Sequence, residues 1–112
     1  MSLADDFFDS KPEQKMHSVT IERDENKSFT FYFYPMNFRD LSKIQKRHPD
    51  FLSNQTSDAM VDLIILKAMT AGGDRVFDSG HKFKLMSEGL DTVSKMFGAI
   101  FETVSVEDQE KN

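Results

Sequence analysis

The stretch SFTFYFYP, residues 28–35, decides how this chain folds. Phe29, Phe31 and Phe33 alternate with Thr30, Tyr32 and Tyr34, the period of two that a pleated strand imposes on its side chains. Pro35 has no amide hydrogen to give to a ladder, so strand pairing is expected to stop there. Upstream, Val19 and Ile21 share one face, and Asp24-Glu25-Asn26-Lys27 makes a polar break between the two runs. Residues 17–34 therefore read as a β-hairpin. Its second strand is aromatic on both faces, which a solvated strand does not need. Two strands alone are also marginal in water, so the hairpin must pack on helices or gain further strands.

Downstream the period lengthens. Asn37 with Asp40 three positions on has the spacing of a capping box with a shortened acid, and Leu41 and Ile44 mark the inner stripe of a short helix that ends before Pro49. Residues 51–55 read as a connection. Thr56, Ser57 and Asp58 are alternative N-caps for the most apolar segment, residues 59–69, in which only Asp62 and Lys67 are charged. A helix that is apolar nearly all round is buried on several sides. Gly72-Gly73 closes it, and the Val76-Phe77 pair in the polar loop beyond is expected to fold back on the core. Residues 81–86 fit a helical turn and a short strand equally. Leu90, Val93, Met96, Phe97, Ile100, Phe101 and Val104 recur at spacings of three and four and define a final helix.

The expected fold is α+β: an N-terminal β-hairpin, a small antiparallel sheet, packed on about three to four helices. It occupies residues 17–105 as one domain, between a flexible acidic arm over residues 1–16 and an acidic tail over residues 106–112. The arm contains one apolar feature, the Phe7-Phe8 pair, which suits either docking on a neighbouring chain or folding back onto its own domain.

Composition narrows the chemistry. The 112 residues include no cysteine, which removes disulfides, thiolate metal sites and thiol nucleophiles. The opening MSLADDFFDSKPEQK lacks a basic start followed by an apolar core, and no run approaches the roughly 18 apolar residues of a membrane helix, so a cytoplasmic protein is expected. A net charge of −5 disfavours nucleic acid as a partner. His17, His48 and His81 are scattered and read as surface residues, not metal ligands; the serines sit in no nucleophile elbow, and Gly72-Gly73 lacks the lysine of a phosphate loop. Asp62, alone in an apolar helix, is expected to face solvent or a partner's Lys or Arg, because an unpaired buried carboxylate is costly. No catalytic, cofactor or metal residue is expected. The eleven Phe and seven Met instead suggest surfaces that bind other polypeptides.

Taken together, FYFYPMNFRDLSKIQK, MVDLIILKAMTAGGDRVFD and LDTVSKMFGAIFE resemble the tail assembly chaperones of long-tailed (siphovirus, lambdoid-like) bacteriophages over residues 17–105. The turn in that family often reads Asp-Gly-x-Pro-x-Phe, where this chain has Gly73-Asp74-Arg75-Val76-Phe77 without proline. The resemblance implies a homo-oligomer that coats the tape measure protein, a long aggregation-prone helical chain. It also implies that tail tube protein is recruited through a frameshifted longer form. No cofactor, nucleic acid or membrane is implied. Phe7, Phe8, Met60, Ile64, Met69, Met96, Phe97 and Phe101 are the residues expected to meet partners or further copies, although an ordinary core would use most of the same side chains. Two other readings remain open: a bacterial adaptor or regulatory subunit, and a weak nucleic-acid binder using Tyr32 and Tyr34.

Overall fold

The computed structural model describes residues 2–11 and 14–101; Val104 and the acidic tail over 106–112 lie outside the described residues. As the alternation required, β1 (His17–Asp24) and β2 (Lys27–Phe33) pair antiparallel, with His17 opposite Phe33, Val19 opposite Phe31 and Ile21 opposite Phe29. The register slips between Glu22 and Asp24, where the Asn26 amide donates to Asp24 Oδ1 at 2.8 Å and closes the turn. All six of those residues share one face. Val19, Ile21 and Phe33 are buried on it, but Phe29, at the turn end where the covering helices run out, stays 50% exposed.

The hairpin is also extended, though by single bridges only. The Tyr32 amide donates to Met69 O at 2.8 Å and the Met69 amide to Tyr32 O at 2.7 Å, while Met69 bridges Arg75 on its other side. The chain reverses between these bridges through Thr70 and Gly73, whose amide donates to Thr70 O at 2.9 Å and whose φ is 91°.

α2 (Phe38–Gln45) opens with the complete capping box: the Asp40 amide donates to Asn37 Oδ1 at 2.9 Å, and the Asn37 amide donates to Asp40 Oδ2 at 3.2 Å. α3 (Ser57–Lys67) takes Thr56 as its cap and is the centre of the fold, burying Ala59, Val61, Leu63, Ile64 and Ile65. α5 (Leu90–Phe101) packs along α3 and against β1. The ambiguous stretch over 81–86 is helical: a 3-10 turn over Ser79–His81 runs into α4 (Lys82–Met86), which also packs on α3. Val76 and Phe77 do fold back on the core, with the Phe77 ring 5.5 Å from Phe31.

Two sequence expectations need correction. Phe51 is not part of a loose connection; it is fully buried, edge-on to Phe97 at 6.2 Å and Phe101 at 5.5 Å, because the bend after α2 drops its ring onto α5. The arm contains regular structure, α1 (Leu3–Asp9), which starts where the Ser2 hydroxyl accepts the Asp5 amide at 3.1 Å and has Asp5 and Asp6 in its first turn, favoured next to the helix N-terminus. α1 buries none of its residues, so the α-helices of the packed domain are α2 to α5, in line with the three to four expected.

Candidate protein-binding surface

Apolar surface is left over after the core is filled. Leu3, Phe7 and Phe8 of α1 are 86%, 68% and 69% exposed, and no residue of α1 is buried. Phe38, Leu52, Phe83, Met86 and Leu90 are exposed too. Leu90 belongs to the α5 stripe by its spacing, yet as the first residue of α5 it stays 78% exposed. Phe38 is likewise the first residue of α2.

A cleft of about 160 Å³ lies where the hairpin's turn end meets α4 and α5, walled by Phe29, Phe31, Phe77, Leu85 and Met96. Ile21, Arg23, Glu88 and Thr92 complete its lining. Arg23 donates from Nη1 and Nη2 to the two Glu88 carboxylate oxygens, at 2.6 and 3.3 Å, tying β1 to the turn after α4. That hydrogen-bonded pairing raises the Arg23 pKa and holds the Glu88 carboxyl below its ordinary value.

The charged residues of the core form two closed networks. Lys67, buried at the end of α3, donates to Asp40 Oδ2 at 2.7 Å and reaches Pro35 O at 3.5 Å, joining α3 to the start of α2. Asp62, expected to face solvent or a partner's Lys or Arg, is instead paired inside its own chain. It is 8% exposed, with His48 Nε2 at 2.8 Å from its Oδ2, Lys82 Nζ at 3.1 Å from its Oδ1 and Arg47 Nη1 at 3.8 Å. Lys82 also lies 2.5 Å from Asp58 Oδ1, one helical turn earlier; this bond lowers the Asp58 pKa and is the main cause raising that of Lys82. His48 is therefore a half-buried partner of Asp62 and not the surface residue its sequence position suggested. His48, Asp58 and Asp62 offer ligand atoms within 4.8 Å of one another, the grouping of a metal site, but here the Lys82 ammonium supplies the cation between the two carboxylates. We read the cluster as the internal tie of α4 to α3 and to the bend after α2.

The residues expected to meet partners separate cleanly. Ile64, Met96 and Phe97 are buried core residues of the single chain, because α3 and α5 turn their stripes toward each other and toward β1. Met60, Met69 and Phe101 are half-buried, and Phe7 and Phe8 are open to solvent. Tyr32 is half-buried beside the Met69 bridge, and Tyr34 is 37% exposed. Phe38, Phe83, Leu52 and Leu90 were missed. Their only sequence signal is position at a helix end or in a loop, which spacing rules do not weigh. Among the described residues, no helix is long and apolar enough to cross a membrane. Compared with known proteins, the chain matches no family model, no curated protein and no solved structure.

Proposed function

We propose that this chain is a non-catalytic tail assembly chaperone of a long-tailed phage. It acts in the host cytoplasm by covering apolar helical surface of the tape measure protein and by associating with further copies of itself. The observation that carries the reading is the set of large apolar side chains left outside a filled core: among the described residues ten are at least 37% exposed, three of them on α1. Side chains such as Phe38, Phe83 and Leu90 can cover a partner's apolar helix without sequence-specific contacts, which suits a chaperone of a long repetitive chain. The resemblance over residues 17–105 supplies the identity of the partner and the expectation that tail tube protein is recruited through a longer form.

Co-expression tests the proposal. A tape measure fragment is expected to become soluble with this protein and to co-purify with many copies of it, and Phe83→Asp is expected to reduce that rescue while leaving the fold intact. A fragment that stays aggregated at equal expression would overturn the chaperone reading, and a tight complex of one copy with one other protein would support the adaptor reading in its place.

A further inference from the structure

The hairpin leaves the outer edge of β1 open. Tyr32 gives its amide hydrogen and its carbonyl oxygen to Met69, on the side away from β1. Residues directly opposite in an antiparallel ladder alternate between pairs that bond each other and pairs whose backbone groups point apart. Ser18, opposite Tyr32, therefore directs its amide and carbonyl away from β2, and Thr20 and Glu22, opposite Thr30 and Ser28, do the same. Among the described residues no backbone hydrogen bond reaches Ser18, Thr20 or Glu22 from beyond the hairpin, and all three are exposed. Natural edge strands are blunted by lysine, proline, a bulge or a covering element. Residues 17–22 hold no lysine and no proline, and the irregularity of β1 comes only after Glu22. β2 is better protected, because the Met69 bridge occupies its edge at Tyr32.

We propose that β1 of one copy pairs antiparallel with β1 of a second copy about a two-fold axis at Thr20, joining two hairpins into a four-stranded sheet. The edge selects this occupant because it is its own complement. With Thr20 opposite Thr20 of the second copy, Ser18 falls opposite Glu22 and Glu22 opposite Ser18, and each of these pairs exchanges two backbone hydrogen bonds. No like charges face each other, and the Ser18 hydroxyl can donate to the Glu22 carboxylate across the axis. On the inner face Val19 meets Ile21 of the second copy, which continues the apolar layer each already helps to build. The chain's own segments match the edge less well. Residues 10–16 lead straight into β1 and would have to turn back at once, with Pro12 in their middle lacking an amide hydrogen. The tail over 106–112 brings Glu107, Asp108 and Glu110 toward Glu22. The pairing also relieves the marginal stability of a two-stranded sheet. A two-fold contact of this kind closes at a pair. It deepens the self-association in the function proposed above and rests on that part of it alone.

Sedimentation equilibrium of full-length chains tests both the edge and its register. Wild-type protein is expected at twice the monomer mass of 12.9 kDa. Thr20→Pro removes an amide hydrogen that points across the axis and none that bonds β2, so it should leave the chain monomeric where wild type is paired. Thr20→Lys and Thr20→Glu each set like charges directly opposite and should each weaken pairing at least about fivefold, at the cost of only the exposed hydroxyl contact with Thr30. Mixed in equal amounts, the lysine and glutamate variants should pair within about twofold of wild type. Circular dichroism verifies that each variant is folded, and the charge variants decide the matter if the proline variant is not. A wild type that is monomeric throughout overturns the proposal and leaves the edge to the chain's own tail or to a strand of another protein. It is overturned equally by a folded Thr20→Pro that pairs like wild type, or by a mixture no tighter than either charge variant alone. Solubilisation of the tape measure fragment is scored separately, so a pair that forms without any rescue retains this contact and removes only the chaperone reading.

Discussion

Replacing Phe51 by alanine tests the packing account at its centre. The ring has no exposed surface and meets Phe97 and Phe101 edge-on, at 6.2 and 5.5 Å. Truncation to alanine removes on the order of 100 Å² of buried apolar surface, about 2.5 kcal/mol at about 25 cal/mol per Å². The hole it leaves adds a cavity term of similar size if the surroundings do not collapse, and lost ring–ring geometry adds about 0.5–1.5 kcal/mol per pair. Some collapse is expected, because Phe101 is only half-buried and can move, so the net cost should fall at about 3–5 kcal/mol. That is a large part of the stability of an ordinary small domain. The control is the next residue: Leu52 is 60% exposed, and Leu52→Ala should change stability by no more than about 0.5 kcal/mol. In urea unfolding followed by far-ultraviolet circular dichroism, with a slope of about 2 kcal/mol per M, Phe51→Ala should lower the midpoint by about 2 M while Leu52→Ala leaves it in place. Equal shifts for the two variants, or a loss below about 1 kcal/mol for Phe51→Ala, would refute the burial of this ring against Phe97 and Phe101.

The remaining predictions concern the ion pairs and the Gly73 turn. Asp62→Ala leaves His48 and Lys82 without their shared acceptor and should cost about 2–3 kcal/mol; Lys82→Met should cost less, since Lys82 is partly solvated, and a double-mutant cycle should show coupling of at least about 0.5 kcal/mol. Additive effects in that cycle would show that the two side chains do not interact. Asp58 and Glu88 have depressed folded pKa values, so their contribution is present above the usual 3.8 and 4.5 and is lost as pH falls through the lower folded values. Lys82 has a raised folded pKa, so its contribution is complete below the usual 10.5 and is lost as pH rises through the higher folded value. Stability measured against pH should therefore be flat through neutrality as far as these pairs are concerned, and Glu88→Gln should flatten part of the acid limb; an unchanged acid limb would count against the Arg23–Glu88 pair. Gly73→Ala meets no atom within 4 Å, so only its positive φ opposes the substitution, and the expected loss is about 1 kcal/mol in the same urea assay. A neutral result would show that this turn readily adopts another conformation.

Local periodicity determined a great deal of this protein. The alternation in residues 28–34, the Asn37–Asp40 box and the three-and-four spacing of Leu90 to Phe101 each depend on neighbours within a few positions, and each appears in the structure as an element of the expected type. The helix of the arm, capped by Ser2, was not read from the sequence, because the acidic residues around Phe7-Phe8 concealed that the apolar ones lie on one side of it. Only tertiary structure decided what those elements meet. Asp62 and His48 are fourteen positions apart and Lys82 twenty further on, so their pairing depends on how α4 docks, and no spacing rule carries that distance. The same holds for Phe51 and Leu52, adjacent and both apolar, one wholly buried and the other open. An apolar stripe shows in sequence as a tendency to be covered, while the covering partner, whether helix, hairpin or another chain, is fixed by the geometry of the packed whole; this is why Met96 and Phe97 are core and Phe7 and Phe8 remain outside.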